Sequence, residues 1–326
     1  MSEFRQDPIN GRWVIVAPER SARPHETEGR DAHERKRVAI DPACPFCPGN
    51  EAMIPPIIEE ILSDQAPGWL VRVIPNKYPI LATDGAEPSD PPRAGYGHHE
   101  VIIVTPRHDA GLPELSPEEM QAVIETWHRR FCAALARPDI EAVLLFGNRG
   151  NRAGASLGHL HSQLIALAFV PPSLEDELAR AHAWLAKHGT CATCEELRRE
   201  LETGERIVEL TEEYAVLVPR AAGSPLEQWI VPREHQPSYA LADMANGAAL
   251  GAVLQRAVRR LKSAAGDPAY NLLVEPGSVA PDDGGAAHWA LRIVPNLTTP
   301  GGFELLSGIA VNPSSPEDDA RRLREH

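Results

Sequence analysis

The segment richest in chemistry runs from Phe146 to Ile165. A strand-like stretch ends in it, a loop of small residues follows (Gly147 to Gly158), and a second strand opens as His159-Leu160-His161-Ser162-Gln163. Alternate side chains of a strand share a face, so His159, His161 and Gln163 project together while Leu160, Leu164 and Ile165 pack behind them. A neutral imidazole at His161 can offer a lone pair for covalent catalysis, which splits one difficult transfer into two easier displacements. Glycines let the backbone approach a phosphate closely. Asn148, Ser156 and Gln163 can donate hydrogen bonds to its oxygens, the kind of electrostatic support that phosphoryl-type transfer requires.

Two Cys-x-x-Cys pairs, Cys44/Cys47 and Cys191/Cys194, each present two thiols from a turn, as two corners of a metal tetrahedron require. Redox motifs share that spacing, but the prolines around Cys44 and the missing thioredoxin-like helix favour metal. His108 and His159 are the candidates to complete a Cys₂His₂ zinc set with the first pair, with His98 and His99 competing for the place of His108. By the same logic Cys191, Cys194, His235 and His288 form a second set, which stands either as a second zinc site or as a vestige. The fifth cysteine, Cys132, lies in a helix-like stretch and reads as a buried thiol.

These residues need a scaffold. Strands are expected at 12–17, 69–74, 99–105, 142–146 and 160–167, with a helix from Ser116-Pro117-Glu118-Glu119 to about Ala136. Serine caps such a helix, proline suits its first position, and acids favour its first turn. The stretches 19–37 and 80–97 read as loops. The second half repeats this order. It has a Cys-x-x-Cys pair, strands at 214–218 and 228–231, Pro232-Arg233-Glu234-His235, a helix from about Ala240 to Ala264, a strand at 270–275, and a last strand opening at His288. Nearly equal intervals separate His108 from His159 and His235 from His288. Such internal repetition predicts an α+β fold of two tandem half-modules, 1–178 and 179–326, each an antiparallel sheet with packed helices. Ala290 stands where a second histidine would follow His288, so one active site per chain is expected, in the first half.

Composition narrows the function classes. A formal charge of −14 opposes nucleic acid as a partner, because backbone binding needs Lys and Arg in excess. Nothing approaches the roughly 20 apolar residues of a membrane span, and the first residues lack a secretory apolar core, so a cytoplasmic protein is expected. An odd cysteine count disfavours a disulfide framework. A non-catalytic zinc module that binds another macromolecule remains the alternative class, opposed by the charge and by the phosphate-ready loop.

Arg20-Ser21-Ala22-Arg23-Pro24, Cys44-Pro45-Phe46-Cys47, Pro75-Asn76-Lys77, Pro106-Arg107-His108, the run from Asn148 to Gln163, and Gly301-Gly302-Phe303-Glu304 occur here in one order. In that order the chain resembles the galactose-1-phosphate uridylyltransferase family of the histidine-triad superfamily over nearly its whole length. The resemblance implies that His161 attacks the α-phosphorus of a nucleotide sugar, with Gln163 favouring transfer over hydrolysis. It implies that Arg20, Arg23, Asn76, Asn148, Gly154, Ser156, Gly301, Gly302, Phe303 and Glu304 contact substrate. It also implies zinc on Cys44, Cys47, His108 and His159, a homodimer with a site completed across the interface, and a place in galactose or wider carbohydrate metabolism. The expected activity is ping-pong uridylyl transfer from UDP-glucose to a hexose 1-phosphate. Two departures, Ser162 in the histidine motif and a C-terminal stretch without the family's hexose-holding glutamine, look closer to the branch that includes plant ADP-glucose phosphorylase, with adenosine nucleotide and phosphate as acceptor.

Overall fold

A computed structural model describes residues 2–18, 38–65, 67–81, 95–244, 247–279 and 284–326. Short strands β1 (Glu3–Gln6) and β2 (Trp13–Val16) pair at the N-terminus. The first half then supplies β3 (Glu59–Leu62), β4 (Trp69–Pro75), β5 (Gly97–Ile103), helix α1 (Pro117–Leu135), β6 (Ala142–Arg149) and β7 (His161–Leu167). Helices α2 (Pro172–His188) and α3 (Ala192–Thr203) follow. The second half supplies β8 (Ile207–Leu210), β9 (Tyr214–Leu217), β10 (Gln228–Pro232), α4 (Ala248–Ala265), β11 (Tyr270–Glu275) and β12 (Ala290–Pro295). The chain closes with α5 (Gly302–Ser307), β13 (Ala310–Asn312), which lies parallel to β2, and α6 (Pro316–Arg324).

Ten of these strands form one antiparallel sheet in the order β3-β4-β5-β7-β6-β11-β12-β10-β9-β8. Outward from the central β6–β11 pair the order is 6-7-5-4-3 on one side and 11-12-10-9-8 on the other, so each strand has a counterpart in the other half. The fold is α+β, as expected, with two half-sheets joined edge to edge through pairs such as Asn148↔Asn271 and Leu272↔Gly147. Helix α2 runs through positions 178 and 179.

One face of the sheet carries α1 and α4. Ser116 and Glu119 form the expected capping box at the start of α1. Trp127 and Phe131 of α1, Leu254 and Leu261 of α4, and Val71, Val73 and Ile102 of the strands enter one core. Glycine at 251 is what lets the two helices approach: a Cβ there would sit 3.2 Å from the Met120 Cβ. The strand pleat sends Ile74, Val101 and Ile103 to the opposite face, and a register shift against Ile61 and Leu62 turns Trp69 to the same side; Cys44, Phe46 and Cys47 cover them there. The functional residues lie on this second face, backed by a rigid double layer.

Several element boundaries differ from expectation: β5 spans Gly97–Ile103 instead of 99–105, and β12 opens at Ala290 instead of His288. Strand β6 runs on through Asn148 and Arg149, because β11 continues the ladder that the sequence alone does not announce. Strand β7 begins at His161, one residue late. Helix α4 starts at Ala248 instead of Ala240, since Ser238 caps a short 3₁₀ turn over Tyr239–Leu241 that buries Tyr239 first. Among the described residues no helix is long and apolar enough to cross a membrane.

Candidate active site and metal centres

The Cys44-to-Cys47 turn closes with the Cys47 N–H donating to the Cys44 carbonyl at 3.2 Å. It brings both sulfurs to His108, just past β5, and His159, just before β7. Cys44 Sγ lies 3.6 Å from His159 Nδ1, and Cys47 Sγ lies 3.5 Å from His108 Nδ1 and 3.6 Å from His159 Nδ1. A tetrahedral ion with Zn–S near 2.3 Å and Zn–N near 2.05 Å demands an S···N edge of about 3.6 Å. The donor set therefore fits a zinc-sized ion. Burial pushes the Cys44 thiol up to about 11, so a cation is what would make a thiolate tenable there. His159 Nε2 donates to the Thr105 carbonyl at 2.8 Å, which orients the ring and leaves Nδ1 free as a ligand atom.

The second set repeats the geometry. Cys194 Sγ lies 3.3 Å from His235 Nδ1 and 3.5 Å from His288 Nδ1. In the two sets the paired imidazoles cross at 88° and 85°. All ligand atoms of each set lie within 4.8 Å of one another, so both Cys₂His₂ groups can hold a metal ion. His98 and His99 belong to neither set. Cys132 is half-buried on α1, 3.5 Å from His128 Nε2.

His161 opens β7 opposite Ile103 and is 7% exposed. Its Nδ1 donates to the His159 carbonyl at 2.8 Å. A carbonyl only accepts, so the proton sits on Nδ1, and the Nε2 lone pair is the ring's free nucleophilic atom. Burial lowers this imidazole's pKa, opposed by that same hydrogen bond, and so favours the neutral form. Phe46 packs edge-on against both imidazoles, 5.3 Å from His161 and 6.0 Å from His159, and fixes one relative to the other.

In front of His161 is a cavity of about 260 Å³ lined by Phe46, Ile54, Ile74, Val101 and Leu157, with Asn76, Lys77, Tyr78, Ser156 and Gln163 as its other polar residues. A larger cavity of about 510 Å³ opens on the other side of Ser156 and Leu157, bounded by Asn148, Arg149, Gly150, His108 and His159. The loop between them turns at Gly150 and Gly154, both with φ near +85°, where a side chain would be strained. Asn271, from the second half, donates to Asn148 Oδ1 at 2.9 Å and to the Ala153 carbonyl at 2.8 Å, and Asn296 donates to Asn271 Oδ1 at 2.8 Å.

The structure thus gathers His161, Gln163, Asn76, Ser156 and the first metal set, with Asn148 in the adjoining cavity. Gly154 shapes the loop without lining either cavity. Arg20 and Arg23 lie outside the described residues. Gly301, Gly302, Phe303 and Glu304 line neither cavity: they begin the exposed α5, where the Glu304 carboxylate caps its own helix by accepting the Gly301 N–H. Sequence reasoning weighed His99 only as a rival zinc ligand and missed Asn271 and Asn296; the contacts of all three exist only once β5, β11 and β12 are placed. In the second half Ala290 stands two residues after His288, where the first half has His161 two residues after His159. The corresponding cavity, lined by residues of α2 and α3 with Glu275 and Arg292, measures only about 60 Å³.

Residues 1–171 match the family described as galactose-1-phosphate uridyl transferase, N-terminal domain. The chain belongs to the galactose-1-phosphate uridylyltransferase family. It is 31% identical to an ADP-glucose phosphorylase of Arabidopsis thaliana across 99% of this chain and 92% of that protein. It is also 31% identical to a galactose-1-phosphate uridylyltransferase of Haemophilus influenzae, across 71% of this chain and 65% of that one. The crystal structure of an Arabidopsis thaliana ADP-glucose phosphorylase with bound ADP-glucose superposes with a TM-score of 0.87 at 30% identity, covering 100% of this chain and 99% of that one. As a member of the uridylyltransferase family, the chain is an enzyme of nucleotidyl transfer.

Proposed function

We propose that the chain transfers a nucleoside monophosphate from a nucleotide hexose, through a covalent intermediate on His161, to inorganic phosphate. His161 Nε2 attacks the innermost phosphorus; the P–N bond forms as the P–O bond to the hexose 1-phosphate breaks, and the leaving oxygen keeps the electron pair. Phosphate then attacks the same phosphorus, the pair of the breaking P–N bond returns to Nε2, and a nucleoside diphosphate departs. The observation that carries this reading is the Nδ1 hydrogen bond to the His159 carbonyl, which reserves Nε2 for the cavity side. Asn76, Ser156 and Gln163 supply donors for the phosphate oxygens, and the apolar walls at Phe46, Ile54, Ile74 and Val101 suit a flat base. Arg20 and Arg23 are included as phosphate contacts on the family motif alone.

Full-length likeness to an ADP-glucose phosphorylase favours ADP-glucose as donor and phosphate as acceptor. The family match supports a second reading, uridylyl transfer from UDP-glucose to a hexose 1-phosphate such as galactose 1-phosphate. In both readings the metal is zinc, which would supply rigidity to the His159 strand end through a closed four-ligand set. Division into units 1–178 and 179–326, with catalysis confined to the first, belongs to the same proposal. So does a homodimer: Phe303, Leu305 and Leu306 of α5 are 50%, 78% and 91% exposed, an apolar edge suited to carry Gly301–Glu304 into a second copy's site.

Incubation with ADP-glucose or UDP-glucose, followed by intact-mass measurement, identifies the nucleotide. An adduct present in the wild type and lost in His161→Ala supports the reading. Failure of every nucleotide sugar tried to leave one defeats it.

A further inference from the structure

We propose that His99 is a positioning residue for nucleotidyl transfer: its Nε2–H sets the Gln163 amide so that the NH₂ end faces the His161 cavity. The proposal rests on the reading of His161 as the nucleophile. His99 is buried on β5, and its Nε2 lies 2.9 Å from Gln163 Oε1 and 3.0 Å from Asn76 Nδ2. Its Nδ1 lies 3.4 Å from the backbone nitrogen of Ile80. A backbone N–H can only donate, so Nδ1 faces it as a lone pair, and a neutral ring then carries its proton on Nε2. Burial lowers the pKa of this imidazole, which agrees with the neutral form.

The amide of Asn76 is set independently. Its Oδ1 accepts the Tyr78 N–H at 2.9 Å, so its NH₂ group is the end beside His99. A protonated Nε2 offers that NH₂ no lone pair and gives its proton to Gln163 Oε1 instead. Two amide NH₂ groups, on Asn76 and Gln163, are thereby left for an anion in the cavity that both residues and His161 line. With the Gln163 amide reversed, its carbonyl oxygen would repel the phosphoryl oxygens of the intermediate and could accept a hydrogen bond from an attacking water. In that hydrolysis the water oxygen bonds to phosphorus, the P–N pair returns to His161 Nε2, the water proton passes to solvent, and a nucleoside monophosphate leaves. His99 therefore favours transfer over hydrolysis without touching the reacting atoms.

The test loads the full chain with a nucleotide sugar, removes the excess, and measures how the adduct divides between water and inorganic phosphate or hexose 1-phosphate. His99→Leu, which removes the donor, is expected to raise the hydrolysed share about tenfold, the factor carried by one net hydrogen bond. His99→Gln, which can place an amide N–H near the same point, is expected to restore the wild-type division. A folding defect alone would slow both exits together and leave the division unchanged. An unchanged division in His99→Leu overturns the proposal, as does a folded His99→Leu without adduct that His99→Gln does not rescue. Nitrogen-15 NMR of the wild-type ring reads the tautomer even where the leucine variant does not fold, and a proton on Nδ1 overturns it. A wild type that forms no adduct refutes the His161 reading and the proposal together, whereas an adduct with an unaltered division refutes the proposal alone.

Discussion

Asn271 ties the second half of the chain to the active-site loop of the first, and replacing it gives a sharp test of that dependence. Its amide makes three hydrogen bonds, to Asn148, to the Ala153 carbonyl and from Asn296. At a net ~1 kcal/mol each, Asn271→Ala removes about 3 kcal/mol. An unfolding entropy of about 2.1 cal/mol/K per residue converts that loss into a fall in melting temperature of about 4 °C for a chain of 326 residues, so the variant still folds. The loop bears most of the damage, because Asn148 and Ala153 lose the donor that seats them. We expect the rate of adduct formation on His161, followed by rapid-quench mass measurement, to fall ten- to a hundredfold. Asn271→Asp should be worse than alanine, since it keeps the acceptor for Asn296 yet turns an oxygen toward the Ala153 carbonyl, which has no hydrogen to offer. An aspartate variant that loads His161 at the wild-type rate would refute the reasoning, and so would an alanine variant with a full temperature loss and unaltered loading.

Elemental analysis should find two zinc ions per chain, and His235→Ala should lower the count to one while keeping adduct formation; His108→Ala should lower the count and slow loading at least tenfold, whereas His99→Leu should keep both ions. Removing Arg292 alone, as Arg292→Met, should cost about 3–5 kcal/mol in urea unfolding because Glu227 and Glu275 lose their cation; the added changes Glu227→Gln and Glu275→Gln should recover most of it, and equal losses in single and triple variants would contradict the ion-cluster account. Burial acts to raise the Glu317 pKa, but hydrogen bonds from Arg5 and Arg206 prevail and lower it from 4.5 to about 2. Its unfolded form therefore binds the proton first, and its stabilising contribution is complete above pH 4.5 and lost as the pH falls toward 2. Thermal unfolding of Glu317→Gln should lack that part of the acid slope.

Much of the site was legible because its signals are local. Cys44-x-x-Cys47 forms a turn, Ser116-Pro117-Glu118-Glu119 starts a helix, and a strand alternates, so His161 and Gln163 were bound to share a face once 161–167 became a strand. The repeat was legible too, since each half carries its own cysteine pair and histidines at matching intervals. His99 could not be ranked, because a histidine beside a strand reads alike whether it meets a cysteine or a glutamine. Only the β5–β7 register, which sets His99 opposite Ile165 and Val101 opposite Gln163, brought it to that amide.

What the sequence determined by itself were the groups able to react and the short segments that present them, since those depend on neighbours a few residues away. The joining of two half-sheets at β6 and β11, the support of Asn148 by Asn271, the small size of the second half's cavity and the outward position of Gly301–Glu304 were decided by tertiary structure. Each depends on which edges and faces find one another across more than a hundred residues or between the chain's two halves, and such pairings leave no periodic trace along the chain.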